Sequence, residues 1–150
     1  MSKEIIRKAV GAIVTYNDLF MVVHKTKINT MNECENIPAE WDFVKGGIEP
    51  ADADLKASIC RELEEETGSS QFQFIRQFEQ KICFEFSQHV QMKTGFKQQE
   101  TTMFHFECRG DLNLLKPIDP EIKAVKFVSR TELMERLPHA ETGTFFTRHF

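Results

Sequence analysis

The chain has 150 residues and a formal net charge of −4, with 23 acidic against 19 basic side chains. That length suits one ordinary domain with a sizeable core. The acidic balance argues against a general attraction to nucleic acid or an anionic membrane surface, although a nucleic-acid end can still bind locally. No apolar run approaches the length of a membrane span, and MSKEIIRKAV has no apolar stretch of signal-peptide length. Cys34, Cys60, Cys83 and Cys108 are widely spaced, with no C-x-x-C pair and no paired histidines. They read as reduced thiols in a cytoplasmic protein. There is no repeat, low-complexity tract or Gly/Ser linker, so a single domain over residues 1–150 is expected.

In chain order, residues 5–16 are β-branched and apolar and read as a strand, with Gly11 marking close approach by another backbone. Asn17-Asp18 is turn chemistry and LFMVVHK a second strand, so residues 5–25 are predicted to form a hairpin. Residues 26–40 are polar and read as an irregular surface loop over the site. Trp41-Asp42-Phe43-Val44 is a short strand delivering Lys45, Gly46 and Gly47. Beyond the helix at 55–67, a Phe-rich strand is expected over 72–87, a loop over 88–98 and a strand over 101–108. Pro117 and Pro120 break the chain before a last strand at 124–129. Thr131 is the expected cap of a short helix through Leu137. The segment 141–150 is left open between helix and loop. This order supports α/β and α+β architectures equally.

The stretch from Gly46 to Gly68 carries the chemistry. Asp54 is placed to cap a helix, because its carboxylate can accept from the first-turn N–H groups, and Gly68 ends it in the left-handed region at no steric cost. Leu55, Ile59 and Leu63 recur every four residues and Cys60 widens the stripe, so one side faces a core. At about 100° per residue, Glu62 and Glu66 share a side with Glu65 beside them, and Glu66 falls within about 20° of Ile59. Glu64 points to solvent. Like charges bunched against an apolar stripe repel one another and lose hydration. A hard divalent cation, Mg²⁺ or Mn²⁺, is the natural partner of such oxygens.

These residues resemble the Nudix box, G-x5-E-x7-R-E-U-x-E-E-x-G-U with U aliphatic: Gly46, Arg61, Glu62, Leu63, Glu65, Glu66 and Gly68 match. Asp52 stands at the first glutamate, eight residues rather than seven separate it from Arg61, and Ser69 replaces the last aliphatic residue. Outside the box, Trp41–Pro50 resembles the W-x-F-P-K-G segment of dinucleoside polyphosphate and RNA 5′-pyrophosphate hydrolases, with Val44 in place of proline. Gly95–Glu100 followed by Met103-Phe104 is similar to their G-Q-x-Q-x-W-F segment, Gln99 matching one glutamine and Thr101 replacing the other. Pro120-Glu121-Ile122 resembles their P-E-[FI] segment, and Arg7–Gly11 the basic start of their first strand.

The resemblance implies an α/β/α sandwich around a mixed sheet and Mg²⁺-dependent hydrolysis of a pyrophosphate linkage in a nucleoside diphosphate-linked compound. Dinucleoside polyphosphates and RNA 5′ ends are the favoured substrates. The alternatives are a dNTP housecleaning pyrophosphatase and a non-catalytic nucleotide-binding module. Glu62, Glu65, Glu66, Glu121 and the Gly46 carbonyl are the implied metal ligands, and Glu65 or Glu121 the base. Arg7 and Lys45 are candidate phosphate contacts, against exposed or strand-edge charges. Trp41 is a candidate base platform, against a core residue. Arg61 is read as facing away from the cluster and pairing structurally with Asp52. His24 and His105 read as packing residues, no membrane is expected as partner, and monomer and homodimer stay open.

Overall fold

A computed structural model describes residues 5–29, 34–118 and 122–150. β1 (Ile6–Tyr16) is apolar on both faces because it runs through the middle of the molecule: Val10, Ala12 and Val14 point to one side and Ile13 to the other, all buried. Asn17, in the left-handed region at φ 52°, turns the chain into β2 (Leu19–Asn29). The strands β3 (Cys34–Asp42), β4 (Val44–Gly47), β5 (Phe72–Glu85), β6 (Gln98–Cys108) and β7 (Ile122–Val128) complete the sheet. Its order is β3-β2-β1-β6-β5, with β4 added to β1 and β7 to β2. β1 and β6 run parallel and the other pairs are antiparallel, so the sheet is mixed.

Helix α1 (Leu55–Thr67) covers one face through Ile59 and Leu63, packed with Val10, Val44, Phe104 and Phe106. The other face is covered by α3 (Arg130–Arg136) and α4 (Ala140–His149), whose Leu133, Phe145 and Phe146 bury themselves against Ile13, Val22, Phe43 and Met103. Each such side chain contributes about 1.5–3 kcal/mol on burial, which outweighs helix propensity in elements this short. The result is the expected three-layer α/β/α arrangement.

α1 is bounded as predicted: Asp54 accepts from the Ala57 N–H, and Gly68 sits at φ 70° with its N–H on the Glu64 carbonyl. Cys60 does not widen the stripe; it is exposed, and Ser58 and Thr67 fill the buried face instead. Gly11 keeps its place for a different reason from the one expected: side chains, not backbone, lie over it. An added Cβ would come within 2.7 Å of Met103 Sδ and 3.2 Å of Lys45 Cγ.

Three segments differ from the sequence reading. The expected loop at 26–40 is largely ladder, since β2 continues to Asn29 and pairs with β3 at Ile28↔Glu35 and Asn29↔Cys34; residues 30–33 lie outside the described residues. Backbone pairing needs no apolar alternation, so a polar strand carries no hydrophobic signal. The expected loop at 88–98 contains α2 (Gln88–Thr94), which buries no residue and therefore has no stripe. Only its caps betray it, Ser87 accepting from Val90 N–H and Gly95 at φ 80°. The cap of α3 is Ser129, which accepts from the Glu132 N–H, two residues before the expected Thr131. The segment 141–150, open in the sequence reading, is helical as far as His149, within α4, with Phe150 as its cap. Among the described cysteines, 60, 83 and 108 are free thiols.

Candidate active site

The loop between β4 and α1 is folded around Asp52. Its Oδ2 accepts from the Glu49 N–H (2.8 Å) and the Ser58 hydroxyl (2.7 Å). Arg61 closes on it with two prongs, Nε to Oδ1 and Nη2 to Oδ2, each 3.0 Å. The Arg61 guanidinium, helped by the Glu49 N–H and the Ser58 hydroxyl, holds the Asp52 carboxyl far below the usual carboxylate range. In return Asp52 holds Arg61 above the usual guanidinium range. The shorter aspartate is therefore no obstacle: with eight residues before Arg61, the loop brings its carboxylate into fork contact.

Arg61 does not face away from the carboxylate cluster, contrary to the helical-wheel reading. A wheel places the Cβ, whereas the guanidinium sits at the end of a flexible stem. Nη2 also donates to the Gly47 carbonyl (2.9 Å), and Nη1 lies 3.0 Å from Glu62 Oε1, 3.3 Å from Glu65 Oε2 and 3.5 Å from Glu49 Oε1. Arg61 thus joins the glycine strand, the loop and two of the three box glutamates.

Glu62 and Glu66 are buried at 8% and 2% exposure, while the Glu65 side chain stays 43% exposed. Glu62 presses against Gly46, where a Cβ would collide with its carboxylate. The Oε2 atom of Glu66 is buried without a hydrogen bond, although the residue has other contacts. Hard anionic oxygens, a glycine whose missing side chain lets the Glu62 carboxylate approach the backbone, and a buried carboxylate oxygen fit a divalent cation of the Mg²⁺ type. Among the described residues, no three ligating side chains already converge on one point. Glu121 lies outside the described residues.

The neighbouring glycine faces the opposite way. A Cβ on Gly47 would come within 2.9 Å of Arg7 Nη2, and Arg7 Nη1 donates to Gln99 Oε1 at 2.7 Å. Gln99 is buried and in turn donates to the Thr101 hydroxyl at 3.0 Å. Lys45 lies on this second face too, with its ammonium 3.2 Å from Asp42 and donating to the Thr142 hydroxyl of α4 at 2.9 Å. Trp41 is covered by His24, stacked at 4.6 Å, and by the Arg136 guanidinium at 5.3 Å. His105 packs edge-on to Phe150 and meets the Thr15 hydroxyl at 2.9 Å.

The sequence reading missed Asp42 and Thr142 as partners of Lys45, and the stacked pair Phe84–His139, 5.1 Å apart and nearly parallel, whose Phe84 pairs in register with Gln99. Asp42 is only three residues from Lys45 and was within reach, but no sequence signal joins Lys45 to Thr142 or Phe84 to His139. The alternation of β4 is the exception, since it predicts that Lys45 and Gly46 face opposite sides.

The profile of the NUDIX domain matches residues 6–150, and the chain belongs to that family. It is a Nudix hydrolase, a pyrophosphohydrolase of phosphoric anhydrides, in a family that generally uses a divalent metal. Over 118 residues it is 28% identical to an RNA pyrophosphohydrolase of Helicobacter pylori (strain P12), spanning 73% of this chain and 76% of that one. In three dimensions it is similar to the MutT protein of Methanosarcina mazei Go1, with a TM-score of 0.72 at 21% identity over 99% of this chain and 95% of that one. A C. elegans Ap4A hydrolase shares the fold at a TM-score of 0.66 and 15% identity, over 96% of this chain and 99% of that one. Among the described residues, no helix is long and apolar enough to cross a membrane.

Proposed function

We propose that this chain uses Mg²⁺ to hydrolyse the pyrophosphate linkage of a dinucleoside polyphosphate or an RNA 5′ end. One observation carries the reading: the Gly46-Gly47 strand has the Glu62 carboxylate against one face and the Arg7 guanidinium against the other. Among the described residues β4 pairs with β1 only, so no second strand covers its other edge, and Gly46 and Gly47 are part-exposed. A polyphosphate crossing that edge meets cationic and cation-holding groups with no Cβ in the way. The RNA pyrophosphohydrolase name of the Helicobacter relative and the Ap4A hydrolase among the structural neighbours support this substrate class.

Glu62, Glu65, Glu66 and the Gly46 carbonyl hold the cation, with Glu121 a further ligand. When bound, Mg²⁺ neutralises phosphate charge and lowers the pKa of a coordinated water. Arg61 orients Glu62 and Glu65, and Arg7 clamps a phosphate as a fork donor. The water oxygen bonds to phosphorus, the anhydride oxygen leaves with its electron pair, and Glu65 or Glu121 takes the proton. Lys45 reaches a phosphate only by leaving Thr142, so its tie to Asp42 and α4 steadies the glycine strand in the free protein. The contacts of Trp41 with His24 and the Arg136 guanidinium support packing over base stacking. A purely ligand-binding module has no need of the intact glutamates, and a dNTP-cleaning role finds no separate support in the site.

The test is a product-release screen with Mg²⁺ over diadenosine tetraphosphate, a 5′-triphosphorylated RNA oligonucleotide and the dNTPs. The first two are expected to exceed the dNTPs in kcat/KM by at least about tenfold. Turnover of none of them, with Mg²⁺ or Mn²⁺, sinks the catalytic reading, and a preference for dNTPs sinks the substrate assignment.

A further inference from the structure

The Asp52–Arg61 fork has a consequence for the cation. Nε and Nη2 of Arg61 are committed to Asp52 at 3.0 Å each, and Nη2 also to the Gly47 carbonyl. The Asp52 side chain is only 7% exposed and that of Arg61 21%, so the guanidinium is anchored rather than free to swing out. This anchoring aims the remaining nitrogen, Nη1, at the carboxylates: 3.0 Å from Glu62 Oε1, and 3.4 and 3.3 Å from Glu65 Oε1 and Oε2.

Resting on the metal assignment above, we propose that Arg61 competes with the divalent cation for the Glu62 and Glu65 carboxylates, so that the Asp52–Arg61 pair sets the cation affinity of the site. Two kinds of positive charge claim the same oxygens. The arginine cannot withdraw without breaking its fork to Asp52, so the cation must share the carboxylate oxygens with it or draw them off it. The same competition stabilises the carboxylate cluster when no metal is bound, because their mutual repulsion is then offset from within the chain. The pair makes binding weaker and more readily reversible than the glutamates by themselves would give.

The experiment measures Mn²⁺ binding by loss of the free-ion electron paramagnetic resonance signal, for wild type, Arg61→Met and Arg61→Lys, with melting curves in parallel. Methionine keeps the length and helix preference of the stem and removes the charge. Arg61→Met should bind Mn²⁺ at least about fivefold more tightly, a floor below the roughly thirtyfold that deleting a unit charge about 4 Å from a divalent ion gives under water-like screening. Its melting temperature should rise more with added Mn²⁺ than that of wild type. Arg61→Lys, with a point charge that cannot fork, should fall between the two, and decides the matter if the methionine variant does not fold. Wild type that binds Mn²⁺ while the folded variants bind it equally or more weakly overturns the competition and leaves the metal assignment standing. Wild type that binds no Mn²⁺ overturns the metal assignment and the competition with it.

Discussion

The two faces of the sheet are built from different materials. On the α1 side, apolar packing by Ile59 and Leu63 is mixed with buried carboxylates, an arginine that touches four acidic side chains and a bare glycine backbone. On the α3–α4 side the buried material is aromatic, with Phe20, Phe43, Phe78, Phe145 and Phe146 in contact with one another and with Phe150. The first face is arranged around charge at a cost in stability, and the second supplies the burial that offsets it. Metal chemistry and stability should therefore separate experimentally by face.

The widest separation is expected from a single carboxamide. Glu65→Gln should fold and melt close to wild type while kcat falls at least about a hundredfold, as for a lost metal ligand or base. Turnover within about threefold of wild type at saturating Mg²⁺ would place the chemistry elsewhere. The mirror experiment is Phe146→Ala, a side chain with no exposure in the aromatic layer. Urea unfolding should show a loss of about 3–5 kcal/mol, with kcat per folded molecule largely retained at low temperature. Comparable losses of rate in both variants would erase the distinction between faces.

The loop offers a sharper cut within the charged face. Asp52→Ala and Arg61→Ala should each lower kcat more than they raise KM, and the double variant should be little worse than the worse single one. Strictly additive losses would mean the fork is not formed in solution. Glu49→Ala should change little, since its carboxylate is 3.5 Å from Arg61 and its side chain 59% exposed. Glu66 probes the cost of charge on this face. At 2% exposure its carboxylate is poorly hydrated, so Glu66→Gln should melt above wild type without metal, and millimolar Mg²⁺ should raise the wild-type curve. Curves that metal leaves unmoved would remove Glu66 from the cation site.

The smallest expected effect lies on the aromatic face. Burial is the main influence holding His105 below the ordinary 6.5, with Glu107 acting to raise it and Arg76 to lower it. A histidine whose folded value is depressed binds its proton more tightly when unfolded. Its contribution is present above about pH 6.5 and is lost as pH falls towards the folded value. His105→Gln should flatten the fall of melting temperature between about pH 7 and pH 5. An unchanged slope would assign that fall to other groups, His149 first, which is likewise depressed by burial.

What was legible in the sequence is what depends on near neighbours along the chain. The cap at Asp54, the stop at Gly68, the buried place of Glu66 and the exposed one of Glu64 follow from helix periodicity and the N–H and C=O groups that a helix end leaves unmatched. The Asp52–Arg61 pair was also within reach, because loop and helix are contiguous. The rest required the sheet. Whether Arg7 meets Gly47, and Lys45 meets Thr142, depends on strand register across β1, β4 and β6, where a one-residue slip would turn each side chain to the other face. The polar pairing of β2 with β3 and the stripe-less α2 carry too little apolar pattern to announce themselves. The guanidinium of Arg61 escapes the helical pattern for a related reason: periodicity places a Cβ, but the end of a long side chain goes where charge and hydrogen bonds from the assembled fold draw it.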